Sequence, residues 1–293
     1  MPKKKISLDI ANLDNFEWDM SRCIKCKGCY WVEHTYMPGT KWMTRCPTAT
    51  KYQFDSYGAY GKVRIGLAVK EGRLEWTDKL LELIYEDPLC GACDVGCKRN
   101  LDMEIELTLE ALRVKAVRDG KGPMPAHKKV AHHIETVHNS FGAAHSQRKT
   151  WVTPYIEVAA KADVLYFAGC AASYKNTEIA KSIGKILNAA RTPFMLMEDE
   201  RCCGNTVFSV GMLDEAQNIA KRNVEAVRDA KVKTILTGCA ECYRMWKVDY
   251  PKMMNIATED LGFKVMHLVE FVDEMVGNGS LKLTRPDASR PCT

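Results

Sequence analysis

Apolar residues in the second half of the chain come in short runs separated by longer segments of helical period. The runs are Val164–Phe167, Phe194–Met197 and Thr234–Thr237, with a fourth at Lys264–Leu268. Between the first three, residues 175–190 and 212–230 place apolar side chains every three or four positions, which predicts amphipathic helices. Strand–helix–strand–helix–strand is the pattern of a parallel α/β sheet. Right-handed crossovers lay such strands side by side with their carboxyl ends on one edge, where ligands of open α/β sheets bind. Residues 243–250 predict a helix stopped by Pro251, residues 269–276 a short final helix, and Asn278-Gly279 a turn. The first half reads differently. Residues 75–86 and 102–118 have helical spacing, 1–20 form an irregular lead-in, and the Gly- and Pro-rich stretch 119–125 is a linker.

Composition sharpens this picture at one point only. A length of 293 residues with 46% hydrophobic content suggests two domains or one large one, with ample core. The net charge of +5 is mild, and its Lys and Arg residues are spread over helical faces, so no nucleic-acid footprint is expected. No window holds eighteen uninterrupted apolar residues, so no transmembrane segment is expected. The Lys-rich start has no apolar stretch behind it, unlike a signal peptide. The thirteen cysteines are the exception to this ordinary composition. They cluster in C-x-x-C repeats, which in such a chain read as metal or redox sites and not as a disulfide framework.

Five of them fall at the ends of the predicted strands: Cys170, then Cys202-Cys203-Gly204, then Cys239-Ala-Glu-Cys242. Thirty-one residues separate the first group from the second, and thirty-five the second from the third. Gly204 and Gly238 suit close backbone approach beside bulky ligands. Spacing alone gives a multi-cysteine site, with zinc or buried free thiols as the alternatives; zinc is closed by four ligands and leaves one thiol over. In the first half, Cys23-x-x-Cys26-x-x-Cys29 is the start of a bacterial ferredoxin run. The Cys-Pro pair that normally completes it is displaced to Cys46-Pro47, seventeen residues after Cys29. The aromatic-rich insertion from Tyr30 to Arg45 either covers a site, forms a docking surface, or packs as a loop. A second run, Cys90-x-x-Cys93-x-x-x-Cys97, has Asp87 where its first cysteine belongs. Asp87 is there either as a ligand or as a cap of the turn before Pro88.

The Cys-Cys-Gly signature and its spacing, over about 160–276, resemble the cysteine-rich CCG domain of heterodisulfide reductases and their relatives. The two triplets separated by helical sequence, over about 20–120, resemble the α-helical ferredoxins. Asn139–Gly142, Arg148 and Trp151 resemble the connector before the first CCG domain in D-type heterodisulfide reductase subunits. The resemblance implies a multidomain chain: an α-helical ferredoxin-like domain at 1–122, a linker at 123–158, an α/β CCG domain with a parallel sheet at 159–277, and a tail at 278–293 toward an absent second CCG domain. It implies two [4Fe–4S] clusters. By the ferredoxin rule that the last cysteine of each run ligates the other cluster, Cys23, Cys26, Cys29 and Cys97 hold one, and Cys46, Cys90 and Cys93 hold most of the second. Asp87 stands at the eighth position, and Cys292 has no partner nearby. The resemblance also implies a non-cubane iron–sulfur cluster on Cys170, Cys202, Cys203, Cys239 and Cys242, although some domains of the family bind zinc.

The implied function is that of an iron–sulfur electron-transfer subunit, an oxidoreductase component passing electrons between cubane clusters and the CCG site. The alternative is a reductase of a small disulfide or a protein di- or trisulfide, with the CCG cluster as active site; a weaker alternative is a zinc-bearing interaction scaffold. Relatives serve dissimilatory sulfite reduction, membrane electron-transfer complexes and class II benzoyl-CoA reductase assemblies. The expected partners are therefore other redox subunits, including a flavin-containing subunit or a membrane cytochrome, and the expected location is the cytoplasm or, through a partner, the membrane. His127, His132, His133, His138 and His145 match no zinc spacing and read as a solvated or partner-facing helix.

Overall fold

The β-branched and aromatic runs do form strands. The computed structural model describes residues 9–32, 43–98 and 101–283. Cys292, the tail from 284 and most of the Tyr30–Arg45 insertion lie outside the described residues. The chain divides into two compact units, one made of residues to Ala131 with Thr206–Ala216, the other of His132–Asn205 with Gln217 onward.

The first unit is helical. Its elements are α1 (Glu17–Arg22), α2 (Pro47–Tyr52), α3 (Ala59–Lys70), α4 (Asp78–Tyr85), α5 (Ala92–Lys98) and α6 (Ile105–Arg118). α4 begins where Thr77 accepts a hydrogen bond from the Leu80 amide at 3.2 Å. That cap trims the expected start at 75 by three residues, because the first turn needs its orphan amides satisfied. Val63 and Leu67 of α3 and Leu109 and Leu112 of α6 are buried, together with Met20 of α1. α7 (Pro125–Val137) follows the linker and buries only Ile134.

The second unit carries the sheet. Its elements are β1 (Val164–Tyr166), α8 (Gly169–Tyr174), α9 (Thr177–Ala189) and β2 (Phe194–Met195). Nearly all of α10 (Asn205–Ser209) and the start of α11 (Leu213–Asp229) count with the first unit; the rest of α11 is followed in the second by β3 (Thr234–Thr237), α12 (Ala240–Arg244), α13 (Tyr250–Met254), β4 (Lys264–His267) and α14 (Leu268–Gly277). The strands are parallel in the order β2-β1-β3-β4. Leu165 pairs with Met195 on one side and Ile235 on the other, so β1 is central. Tyr166, Leu187, Phe194 and Leu236 are fully buried in a core that also holds Trp151 and Met266. Each such side chain contributes about 1.5–3 kcal/mol by leaving water.

One expectation was misplaced. Pro251 does not stop the helix after Cys242: α12 passes through a π-type turn at Met245–Asp249 into α13, which continues to Met254. Pro251 sits in the first turn of α13, directly after the π-type turn. The stop falls at Asn255, whose left-handed conformation (φ 54°) ends the segment.

Candidate metal centre

The carboxyl ends of β1 and β3 and the loop after β2 bring the five later cysteines into one string. β1 runs into Ala168-Gly169-Cys170, so Cys170 opens α8. β3 runs through Gly238 to Cys239, the N-cap of α12, and Cys242 lies inside that helix. Cys242 Sγ lies 3.5 Å from Cys203 Sγ. Cys203 also feels Cys202, Cys202 feels Cys170, and Cys239 feels Cys242, so the five thiols are electrostatically linked in a row. The order Cys170–Cys202–Cys203–Cys242–Cys239 has three buried thiols in the middle and two partly exposed ends. Among the described residues, no three His, Cys, Asp or Glu side chains surround a single ion position.

The glycine this packing requires is Gly169. Its φ is +75°, and a Cβ there would stand 2.9 Å from Cys242 Sγ. The two glycines singled out from sequence serve other contacts: added Cβ atoms at Gly204 and Gly238 would meet Ile219 and Ile183, not sulfur. The Gly204 amide does reach Cys202 Sγ, at 3.4 Å.

The string is electrostatically uneven. Hydrogen bonds from Cys202 and Cys242 pull the Cys203 thiol down to about 6, against the effect of burial. A bond from Cys242, helped by the amides at the start of α12, lowers Cys239 to about 6. Donating to these neighbours, together with burial, pushes Cys242 well up, and the contact with Cys202 does the same for Cys170. Cys202 is drawn down by Cys170 but ends near 12 through its bond to Cys203 and its burial. Cys203 and Cys239 are thus shifted toward the thiolate form and the other three away from it, and a metal would displace protons from those.

Polar atoms without partners surround the string. Arg148 Nε and the hydroxyls of Tyr166 and Tyr174 are buried with no hydrogen-bond partner. Tyr166 feels the charges of Cys239 and Cys242, and Tyr174 that of Cys170. Buried donors are normally satisfied, so these await an acceptor. Five soft thiols with such donors nearby fit a sulfur-rich inorganic group.

The first unit assembles its cysteines around α5. Cys29 feels the charges of Cys23 and Cys97, Cys97 those of Cys26 and Cys23, and Cys93 those of both Cys29 and Cys90. Lys25 and Lys27, between the cysteines of the first run, adopt positive φ of 55° and 61°. Such backbone is uncommon outside glycine and recurs at ligand-holding loops. Cys46 caps α2, with Pro47 in its first turn. Cys46, Asp87, Cys90 and Cys93 line one pocket with Thr48 and Glu106. Cys93 and Cys97 lie four apart on α5, one in each group. Burial raises Cys29 to about 12 and also raises Cys93 and Cys97.

Asp87 is doubly engaged. Its Oδ1 accepts from the Leu89 amide at 2.8 Å, closing the turn around Pro88, and its Oδ2 lies 2.6 Å from Lys62 Nζ. The Lys62 side chain is wholly buried and also donates to Thr48 Oγ1 at 3.1 Å, which stands 3.4 Å from Cys46 Sγ. Lys62 was missed in the sequence; a lone lysine in the apolar face of a helix was its only signal. The histidines do not converge. His127 packs on Tyr85, and His138 lies edge-on to His145, whose Nε2 is 2.9 Å from Asp199.

Comparison with known proteins places these features in a family. Residues 164–247 match the CCG cysteine-rich domain model. The chain is 30% identical over 96% of its length, and 69% of the relative's, to the D subunit of dihydromethanophenazine:CoB--CoM heterodisulfide reductase from Methanosarcina acetivorans. It is 27% identical over 64% of its length, and 36% of the relative's, to an uncharacterized iron-sulfur protein of Methanococcus maripaludis. It is 25% identical over 69% of its length, and 38% of the relative's, to the B subunit of fumarate reductase (CoM/CoB) from Methanothermobacter marburgensis. No solved structure matches. With both the cysteine string and the helical cysteine pockets inside the aligned span, the chain belongs to the family of D-type heterodisulfide reductase subunits.

Proposed function

We propose that the chain is an iron–sulfur electron-transfer subunit of a heterodisulfide reductase-like complex. The observation that supports this most is the unbroken string of five thiols at the strand ends, bordered by unpartnered buried donors. In this reading Cys170, Cys202, Cys203, Cys239 and Cys242 hold a non-cubane cluster. Cys23, Cys26, Cys29 and Cys97 hold one [4Fe–4S] cluster, and Cys46, Cys90 and Cys93 a second, with Asp87 beside it as ligand or as cap. When bound, such groups supply one-electron chemistry whose potential depends on burial and hydrogen bonding. The protein's part is to hold them apart from water, to fix sulfur donors and to place charge nearby. Partner redox subunits, a flavin-containing subunit or a membrane cytochrome among them, would deliver or accept the electrons. The chain has no helix, among the described residues, long and apolar enough to cross a membrane. It would work in the cytoplasm or at a membrane through such a partner.

A second reading rests on the same string: its ends at Cys170 and Cys239 are partly exposed, so the five-thiol site could itself reduce a disulfide or trisulfide. Thiol release from a disulfide by the isolated chain with reduced viologen separates the two, because the electron-transfer reading expects none. The test of the primary reading is spectroscopic. Cys203→Ser or Cys239→Ser in anaerobically purified protein should abolish the EPR signal of the five-thiol site and leave ferredoxin-type signals. Zinc in place of iron in the wild type would sink the reading and favour an interaction scaffold.

A further inference from the structure

Arg148 and Glu200 form an ion pair that is almost completely buried, with side chains 3% and 4% exposed. Burying two charges costs several kcal/mol per ion unless each is fully engaged. Here the engagement is directed at the five-thiol site. Glu200 Oε1 accepts from Arg148 Nη1 at 2.7 Å and from the Gly169 amide at 2.9 Å, and Oε2 accepts from the Ala168 amide at 3.0 Å. The carboxylate therefore clamps the turn that presents Cys170. Arg148 Nη2 donates to the His138 carbonyl at 3.0 Å and lies 3.6 Å from Cys170 Sγ. The His138 carbonyl also accepts from the Cys202 amide, at 2.9 Å. One guanidinium thus ties the connector, the Cys170 turn and the Cys202 loop together. Of its two remaining N–H groups, one on Nη1 and one on Nε, the latter is buried and unpartnered, and the guanidinium lies over Tyr174 at 5.2 Å from the ring centroid.

Only arginine meets these demands. Its planar fork reaches a carboxylate, a carbonyl and a sulfur at once, and its charge persists at every relevant pH. A structural strut would need no permanent cation against a sulfur ligand.

We infer that Arg148 is a positioning residue of the five-thiol site, a buried cation fixed by Glu200 against Cys170 that favours the more negative oxidation state of the group held there and so raises its reduction potential. The inference rests on the proposed iron–sulfur reading of that site. Reduction adds one electron and so one negative charge; a positive charge a few ångströms away in a water-poor setting stabilises the reduced form relative to the oxidised one. Glu200 keeps this bias bounded, because its own negative charge is spent on Arg148 and two amides.

The experiment uses the full chain, purified without oxygen, and a redox titration followed by EPR. Arg148→Lys keeps a cation for Glu200 but loses the fork that reaches Cys170. The double variant Arg148→Gln/Glu200→Gln removes both charges without leaving one buried alone. In the double variant the five-thiol signal should remain, with unchanged iron content, but titrate at a lower potential. Arg148→Lys should fall between it and the wild type, while ferredoxin-type signals titrate as in the wild type. An unchanged potential in both variants overturns the inference and leaves the iron–sulfur reading standing. Loss of the five-thiol signal from a double variant with wild-type circular dichroism also overturns it, because Arg148 would then serve assembly alone. A wild type without any such signal overturns the underlying reading and the inference with it.

Discussion

Asp87 stands in a three-cysteine pocket where the ferredoxin pattern would put a fourth thiol. Both of its carboxylate oxygens are engaged, one by the Leu89 amide and one by the buried Lys62. Asparagine can still accept from Leu89 but leaves the lysine charge without its partner. Breaking a buried pair on one side typically costs about 3–5 kcal/mol. Asp87→Asn should therefore lower the denaturant midpoint of the protein clearly, and adding Lys62→Met should restore much of the loss. Asp87→Asn should leave the EPR signature of the Cys46, Cys90 and Cys93 site unchanged; an altered signature would put the carboxylate on the metal. If three thiolates hold a cluster there, it should be the one that loses an iron on mild oxidation, and with Asp87 acting as a cap Asp87→Cys should not suppress the loss; suppression would put position 87 at the metal. The cysteine runs can be counted in the sequence because their offsets are local. Lys62 and Glu200 carry no such signal, and Arg148 stands out there only as part of the connector. Arg148 and Glu200 stand fifty-two residues apart, and nothing in either neighbourhood announces that the fold will pair them.

At the scale of elements, the strands and the helices α4, α6, α9 and α11 were readable because period and turn signals agreed. α3 was not: seven of its twelve residues are buried, so no single apolar stripe marks it. The other differences lie at ends and junctions, where caps decide. Pro251 read as a stop, yet the π-type turn before it let the proline enter a new first turn. β2 is shorter than its apolar run because Leu196 and Met197 already leave the sheet for the loop toward Cys202. α14 shows a cap with measurable consequences. The Val269 amide donates to His267 Nδ1 at 3.3 Å, and the His267 amide to Glu270 Oε2 at 3.0 Å. The Tyr243 hydroxyl, the His267 amide and Lys247 together hold the Glu270 carboxyl down to about 2. A depressed folded-state value means that the carboxylate's contribution is complete above the ordinary value of 4.5 and is lost as pH falls toward 2. Glu270 is largely solvent-screened, so the contribution is below about 1 kcal/mol. Glu270→Gln should reduce stability to urea by a constant small amount between pH 7 and pH 5. The gap should narrow only below the ordinary value of 4.5. A gap that changed between pH 5 and pH 7 would place the effect on another group.

Across the whole molecule, the two units stand on different physical footings. The second has a four-stranded parallel sheet and a core of large buried side chains around Trp151, Tyr166 and Phe194, which can persist without any metal. The first is built from helices of six to fourteen residues. Helices shorter than about 12–15 residues are marginal by themselves. Its seven cysteines run from Cys23 to Cys97 and gather loops that would otherwise cost closure entropy. If those cysteines hold the proposed clusters, metal binding is a large part of the folding free energy of this unit. If three clusters are held, anaerobic protein should carry roughly a dozen irons per chain, at about four per cluster, and should be brown and oxygen-sensitive. Chelation under anaerobic, reducing conditions should then remove much of the helical circular dichroism. Limited proteolysis of the stripped protein should cut first within residues 17–118, while a fragment covering 159–277 survives. A stripped chain whose first unit stayed as resistant as its second would show that the helices need no metal, and the ferredoxin-like reading of that unit would fall.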